Sequence, residues 1–279
     1  MENRTLGRSG IEVSPLGMGC WAIGGPWQWL DGPGGWGDVD DDESVRAVQA
    51  ALSNGITFFD TAANYGAGHS EDVLGRALAG RRDEVVIATK FGFHVDEAAK
   101  HVTFHADPRT VARELRADCE RSLRHLGTDR IDLYQLHVWD FAADLAVEVR
   151  DELEGLVREG KIRAYGWSTD TADLARVFAD GEHCAAVQHD LNVVRDAPEI
   201  LALCAEADLA SINRSPLARG ALTGKYDAAT VFACVGALTA LYETIRGTFT
   251  IDRFELVDPH VIVAGDAAAL TFKEGTITA

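Results

Sequence analysis

Apolar runs of strand length recur along this chain and are separated by stretches in which apolar residues follow helical spacing. The predicted strands cover residues 13–18, 56–59, 85–89, 131–136, 162–167, 185–187 and 209–212. The segments between consecutive strands are long enough for parallel crossovers, most of them helical. This pattern predicts an α/β protein of the (β/α)8 barrel type, in which strand and helix alternate around a closed sheet.

Capping residues predict where several of the helices begin and end. Asp107 followed by Pro108 is a strong start signal, and Gly127 follows the last residue on the apolar face of that helix. Ser70 and Asp170 are each predicted to cap the helix that follows them. The acidic residues 38–43 are expected to lie at the positive end of the next helix rather than to bind a divalent ion.

Two early segments fall outside the alternation of strand and helix. Residues 4–13 predict a small hairpin with its turn at residues 7–10. The loop of residues 20–37 carries four of the six tryptophans, namely Trp21, Trp27, Trp29 and Trp36. Such rings can form one wall of a pocket for an apolar molecule, or they can pack over one end of the barrel.

The regular pattern ends after residue 226, and the last strand of the barrel has two interpretations. Residues 261–264 can supply the eighth strand. The same residues also fit the first arm of an antiparallel hairpin, with a two-residue turn at Gly265 and Asp266 and a second arm at residues 267–272. The sequence leaves both interpretations open.

Composition narrows the class of protein. The chain has 279 residues, is 47% hydrophobic and carries a net charge of −18. This charge argues against nucleic acid as a partner. No run approaches the roughly 20 apolar residues of a membrane span, and the N-terminus has no signal-peptide pattern, so a cytoplasmic protein that does not bind membrane is expected. The five cysteines are scattered, which predicts reduced thiols.

Polar residues mark the carboxyl ends of consecutive strands. These residues are Asp60, Lys90, His137, Ser168, Gln188 and Ser215. In a barrel these ends share one face, where active sites are found. Tyr65 lies on the loop just beyond Asp60. An acid, a cation, an imidazole and a phenol that converge on one opening form an acid–base site. Eight other histidines show no ligand spacing, so no metal site is expected.

The chemistry of these side chains suggests a separate role for each of them in proton transfer. A tyrosine has a pKa near 10, which an adjacent ammonium lowers by stabilising the phenolate. Lys90 can be that cation and Asp60 can hold it charged, so that Tyr65 donates a proton to a carbonyl oxygen. His137 can hydrogen-bond the same oxygen. None of these side chains supplies hydride, so the site needs a nicotinamide cofactor.

The motifs around these residues resemble those of the aldo-keto reductase family. The resemblance covers residues 6–226 and rests on the motifs Asp-Thr-Ala-x-x-Tyr-Gly at 60–66, Ala88-Thr89-Lys90, Leu136-His137, Gly166-Trp167-Ser168 and Ser215-Pro216-Leu217-Ala218-Arg219-Gly220. It implies reduction of aldehydes or ketones by NADPH, with NADH as the alternative. The implied substrate is a small carbonyl compound, and the oligomeric state is left open.

The resemblance also implies a role for each site residue. Asp60, Tyr65, Lys90 and His137 form the catalytic group, with Tyr65 as the general acid. Ser168 and Gln188 hold the carboxamide of the nicotinamide, although Thr169 stands where many relatives have asparagine. Arg214 stands where some relatives stack an aromatic ring on the nicotinamide. The residues implied to follow the diphosphate are Ser215, Pro216, Leu217, Arg219, Gly220 and Lys225.

The resemblance stops at residue 226, which divides the chain into a barrel-like region (1–226) and a divergent segment (227–279). Relatives supply an eighth strand and an arginine-bearing helix from this region, and the sequence shows no counterpart here. Residues 241–272 faintly resemble part of an NTF2-like domain. The sequence leaves three alternatives to an active reductase. The divergent segment allows an inactive barrel that does not close, family members that bind nicotinamide without relevant turnover suggest a regulatory protein, and Lys90 can form a Schiff base in an aldolase.

Overall fold

Eight parallel strands close into a barrel in the computed structural model, which describes residues 2–223, 250–252, 261–266 and 276–278. Their order around the barrel follows their order in the chain. The strands are β1 (Leu16–Gly19), β2 (Phe58–Asp60), β3 (Val86–Phe91), β4 (Ile131–Leu136), β5 (Ile162–Ser168), β6 (Cys184–Asp190), β7 (Ala210–Arg214) and β8 (Val261–Asp266). The predicted fold class is confirmed.

Six helices pack around the outside of the barrel within the described residues. They are α1 (Asp41–Ser53), α2 (His69–Ala77), α3 (Thr110–Leu126), α4 (Ala143–Arg158), α5 (Ala172–Ala179) and α6 (Pro198–Ala207). Asp40 caps α1 by accepting a hydrogen bond from the Glu43 amide at 2.9 Å, and three acidic residues occupy the first turn, as predicted. Gly127 ends α3 in the left-handed conformation. No helix in this part of the chain is long and apolar enough to cross a membrane.

Two of the predicted helix caps are wrong. Gly68, not Ser70, precedes α2, and the Ser70 hydroxyl donates instead to the Cys20 carbonyl at 2.6 Å. Thr171 precedes α5, while Asp170 forms ion pairs across the mouth of the barrel. In both cases a tertiary partner takes the side chain that local sequence assigns to the helix end.

The predicted N-terminal hairpin closes the amino end of the barrel. Arg4–Thr5 pairs antiparallel with Glu12–Val13, and Gly7–Ser9 forms a single 3₁₀ turn between them. Leu6, Ile11 and Val13 are buried in the same apolar cluster as the inward-facing residues of the strands. This hairpin therefore serves as a plug that completes the core of the barrel.

Residues 261–266 form the eighth strand of the barrel, which decides between the two interpretations of this segment. β8 pairs in parallel with β7, where Ile212 is opposite Ile262, and with β1, where Met18 is opposite Gly265. Gly265 and Asp266 are part of this strand, so the hairpin turn proposed there is wrong; residues 267–272 lie outside the described part. The expectation that residues 227–279 hold no counterpart of the eighth strand is also wrong, since the closed sheet continues past residue 226.

A second, smaller sheet covers part of the carboxyl end of the barrel. Gly32–Pro33 and Gln28–Trp29 come from the tryptophan-rich loop, and His101–Thr103 and His94–Asp96 come from the segment after β3. Two loops that are distant in sequence are thereby joined over the barrel opening. Residues 20–37, expected to be an irregular loop, thus contain two short strands.

A buried carboxylate ties three strands together at the amino end of the barrel. Asp132, 1% exposed, accepts hydrogen bonds from Arg82 at 2.7 Å, Arg163 at 2.9 Å and the Ile87 amide at 2.9 Å. These partners belong to the turn before β3, to β5 and to β3. Both carboxylate oxygens are thus used, as a buried charge requires.

Replacing this carboxylate should destabilise the barrel. Asp132→Ala removes charge-assisted hydrogen bonds and leaves a buried amide unpaired, so we expect the free energy of unfolding in urea to fall by about 2–4 kcal/mol. Asp83→Ala is the matched control, because Asp83 also pairs with an arginine but is 90% exposed. The control should unfold like the parent protein. Equal effects of the two substitutions would contradict this account of Asp132.

Candidate active site

The polar strand ends meet at the carboxyl end of the barrel, around a cavity of about 560 Å³. Its lining includes the site residues Asp60, Tyr65, His137, Ser168, Gln188, Arg214 and Ser215. Lys90 lies beneath them with its side chain fully buried. The structure therefore brings together residues that are up to 155 positions apart in the sequence, because parallel strands end on one face.

Lys90 and Asp60 form a buried ion pair below this cavity. The Lys90 Nζ donates to Asp60 Oδ2 at 2.7 Å and to the Thr61 carbonyl at 2.8 Å. Burial alone would lower the pKa of Lys90, but the charge of Asp60 and the contact with Tyr65 outweigh it and raise the pKa above its usual value. Lys90 is therefore an ammonium at neutral pH, which counts against a Schiff-base aldolase.

Tyr65 lies between this ion pair and the opening. The Lys90 Nζ is 5.0 Å from the centroid of the Tyr65 ring and hydrogen-bonds the side chain. The Trp21 ring stacks on the Tyr65 ring, with the two centroids 6.0 Å apart. Gly66 follows with a φ of +66°, and a Cβ there would collide with the Gly24 carbonyl, so only glycine fits this turn.

His137 is held in the neutral state. Burial of the ring is the main cause that lowers its pKa well below the usual range, and the positive charges of Lys90 and Arg214 lower it further. The Nδ1 atom is 2.8 Å from Asn64 Oδ1. The rings of Phe93 and Tyr65 also pack against it, with centroids 5.4 and 5.7 Å from that of His137.

Ser168 and Gln188 line the cavity with different contacts. The Gln188 Nε2 donates to Asp60 Oδ1 at 2.9 Å, so this glutamine also holds the carboxylate of the buried ion pair. The Ser168 hydroxyl has no hydrogen-bond partner among the described residues. Thr169 is fully buried and donates to the Trp139 carbonyl at 2.6 Å, so it faces away from the cavity.

Arg214 reaches the cavity through an ion-pair network. It pairs with Asp170, which Arg195 also approaches at 3.6 Å. Ser215 follows with a φ of +53°, and the 3₁₀ turn Ala218–Thr223 comes next.

The loop implied to follow the diphosphate is described only in part. Pro216 and Leu217 are half-buried and do not line the cavity. The Gly220 amide is already bonded within the turn, to the Leu217 carbonyl at 2.9 Å. The Arg219 side chain and Lys225 lie outside the described residues.

Aromatic side chains form one wall of the cavity. Trp29, Phe93 and Trp139 line it, with centroid distances of 4.8 to 6.3 Å between them. Phe104 packs behind all three. We call Trp29, Phe93 and Trp139 the aromatic wall. Of the two roles left open for the tryptophan-rich loop, the structure favours the pocket wall.

Sequence reasoning missed several residues of this site. Asn64 contacts His137, and the Thr61 carbonyl accepts from Lys90. Phe93 and Trp139 complete the aromatic wall from loops after β3 and β4. The position of Asn64 next to Tyr65, in a polar stretch after a strand, is the one signal that could have indicated it.

The fold and site define a (β/α)8 barrel with a cluster of charged and polar side chains at its carboxyl end, and comparison with known proteins specifies the family. Residues 15–232 match the model of the aldo/keto reductase family. Aldo-keto reductase YhdN of Bacillus subtilis is 34% identical over 229 residues, which cover 81% of this chain and 65% of YhdN, less than two thirds of its length. The chain belongs to the aldo-keto reductase family.

Solved structures agree with this assignment. The holo form of aldo-keto reductase AKR11C1 from Bacillus halodurans superposes with a TM-score of 0.77 at 27% identity, covering 96% of this chain and 87% of that one. An aldo-keto reductase of Klebsiella pneumoniae in complex with NADPH superposes with a TM-score of 0.66 at 26% identity, covering 96% and 86%.

The buried ion pair should be strongly coupled. Lys90→Met leaves Asp60 without its cation, so we expect a loss of about 3–5 kcal/mol in the free energy of unfolding. Asp60→Asn together with Lys90→Met removes both charges and should cost less than the sum of the single changes. Urea unfolding of the four proteins measures this coupling. Additive effects would show that the two side chains act independently.

Proposed function

We propose that this protein reduces aldehydes or ketones to alcohols with a reduced nicotinamide cofactor, and that Tyr65 is the general acid. The observation that carries the proposal is the fully buried Lys90 ammonium, which is held by Asp60 and in contact with Tyr65 beneath an open cavity. A permanent positive charge placed against a phenol favours the phenolate that remains after the phenol has given up its proton.

The proton inventory of the site supports this role for Tyr65. His137 is neutral, and Lys90 is engaged by Asp60 and Thr61. Tyr65 lines the cavity and carries a transferable proton next to the ammonium. A substrate oxygen that gains negative charge can take this proton, with a second hydrogen bond from His137 to orient it.

The cavity wall opposite Tyr65 fits the carboxamide of a nicotinamide. A carboxamide has one carbonyl acceptor and one NH2 donor. The Ser168 hydroxyl can donate to the former, and the Gln188 Oε1, left over after Nε2 has bonded Asp60, can accept from the latter. When bound, the cofactor supplies the hydride that no side chain can provide.

The choice of cofactor and the proposed position of its diphosphate are inferred from the family relationship. The Klebsiella pneumoniae relative is described in complex with NADPH, which makes NADPH the first choice here and NADH the second. Arg214, at the cavity edge, can present its guanidinium plane to the ring. Ser215, Pro216, Leu217, Arg219, Gly220 and Lys225 are proposed to follow the diphosphate.

The aromatic wall indicates the substrate class. Trp29, Phe93 and Trp139 present ring surfaces to the cavity, and no carboxylate or ammonium lies among these three side chains. Such a surface favours carbonyl compounds with an apolar, preferably aromatic, body, because the ring is transferred out of water on binding.

Tyr65→Phe tests the proton donor. The change keeps the ring against Trp21 and removes only the hydroxyl, so we expect kcat for an aromatic aldehyde to fall by about 10²- to 10⁴-fold while NADPH affinity changes little. Loss of NADPH absorbance measures turnover, and a tryptophan-fluorescence titration measures cofactor binding. Turnover equal to that of the parent would refute the role of Tyr65, and binding without turnover in the parent would favour a regulatory protein.

Trp139→Ala tests the aromatic wall. We expect KM for an aryl aldehyde to rise by roughly 10-fold, the equivalent of about 1.4 kcal/mol of lost apolar contact, with a smaller change for a short aliphatic aldehyde. Trp36→Ala is the control, because Trp36 is similarly exposed (52% against 45%) but does not line the cavity. The substrate class would be wrong if both variants shifted the two substrates equally.

A further inference from the structure

Asn64 occupies an unusual place, because its amide contacts the one ring atom of His137 that does not have to meet substrate. Asn64 is nearly buried, lines the cavity and places Oδ1 2.8 Å from His137 Nδ1. The His137 Nε2 has no partner among the described residues. The state of Nε2 is therefore set from the far side of the ring, by the group that holds Nδ1.

The orientation of the Asn64 amide, with Oδ1 toward Nδ1, assigns the position of the proton of neutral His137. An amide oxygen can only accept, so Nδ1 carries the proton and donates it to Asn64. A neutral imidazole has one N–H, and Nε2 therefore presents a lone pair to the cavity. In this state His137 can accept a hydrogen bond from an alcohol O–H but cannot donate one to a carbonyl oxygen.

The proposed reaction needs both states of this ring. The oxygen of an aldehyde or ketone only accepts hydrogen bonds, whereas the oxygen of the product alcohol can donate one. An amide is suited to both, because a half-turn exchanges its oxygen for its NH2 group with almost no change in shape. With NH2 facing Nδ1, the stable neutral tautomer has its proton on Nε2, where it can form a hydrogen bond to a carbonyl. The rotation itself moves no proton, so in each exchange water in the open cavity takes the proton from one ring nitrogen and supplies one to the other.

We propose that Asn64 is a positioning residue that sets the tautomer of His137 and, by rotation of its amide, matches Nε2 to the carbonyl or to the alcohol. The free protein holds the Nδ1–H tautomer. The part concerning substrate rests on the proposed carbonyl reduction, while the tautomer of the free protein does not.

The other groups around His137 do not set its tautomer. The charged groups facing the ring are Lys90 on β3 and Arg214 at the end of β7, and both are cations that disfavour the imidazolium. Their carboxylate partners, Asp60 and Asp170, are engaged with them. Tyr65 meets the ring at a steep angle of 79° between the planes. Among the described residues Asn64 is the one hydrogen-bond partner of the ring.

Nitrogen-15 NMR of protein labelled in histidine reads the tautomer directly, because protonated and unprotonated ring nitrogens resonate far apart. The His137 signals are assigned by their loss in His137→Asn. We expect the parent at pH 7 to show a protonated Nδ1 and an unprotonated Nε2. Asn64→Leu should lose this preference, and Asn54→Leu, which removes an exposed amide that caps α1, should keep it. The Nε2–H tautomer in the free parent, or an unchanged signal in Asn64→Leu, would overturn the proposal.

Asn64→Asp provides a second test that does not depend on the leucine variant folding. A carboxylate accepts in either orientation, so it locks the proton on Nδ1 and favours the imidazolium. The pKa of His137 should rise in the NMR titration, and the profile of kcat/KM for reduction should gain an inflection at which the rate falls as pH rises through that value. A pKa and a pH profile equal to those of the parent would overturn the proposal.

The two hypotheses fail in different ways. If carbonyl reduction is wrong, the parent shows no turnover of NADPH while the tautomer experiment still gives the Nδ1–H signal. If the role of Asn64 is wrong, turnover persists with the parental pH profile in Asn64→Asp.

Discussion

The site depends on one constraint, which is that a lysine ammonium is kept charged in the interior of a barrel. A buried charge is costly unless it is paired and hydrogen-bonded. Lys90 meets this requirement with Asp60 and the Thr61 carbonyl, and Asp60 is in turn held by Gln188. These groups come from the end of β2, from β3 and from β6, so the ion pair forms only when the strands are in register.

This requirement links the fold to the chemistry. The amino end of the barrel is closed by an apolar plug and by the carboxylate of Asp132, both of which fix the strands against one another. The carboxyl end, where strands stop and loops begin, can then hold polar groups at small separations. A one-residue slip of β3 would move Lys90 from the interior of the barrel to its outer face and would leave Asp60 unpaired.

Much of this arrangement could be predicted from the sequence, because it depends on features that repeat along the chain. Alternating strands and helices predict a parallel barrel, and a parallel barrel brings Asp60, Lys90, His137, Ser168 and Gln188 to one face. The strand at residues 261–266 could not be settled in this way. Gly265 and Asp266 are a local turn signal, and their strand conformation comes from pairing with β1. The small sheet over the opening is equally non-local, since its strands of two and three residues join segments about 70 positions apart.

The sequence did not predict the roles of side chains whose hydrogen-bond or ion-pair partners lie far away in the sequence. Ser70 and Asp170 have the composition of helix caps but bond across the structure instead. Asn64 sits in a motif where its neighbours Asp60 and Tyr65 attract attention by their chemistry, while its own role depends on the distance to His137. That distance is decided by the loop after β2 and the end of β4 together.

The electrostatics of the cavity connect these observations to a division of roles. Burial of the ring is the main cause that keeps the His137 imidazole neutral, and the positive charges of Lys90 and Arg214 add to it, so the function we propose for this ring is hydrogen bonding rather than proton donation. Lys90 also stabilises a phenolate at Tyr65, which supports the proposed role of Tyr65 as the acid. In the proposed mechanism the buried charge of Lys90 therefore favours both Tyr65 as the acid and a neutral His137 as the hydrogen-bonding group, and the amide of Asn64 sets which kind of hydrogen bond the imidazole offers.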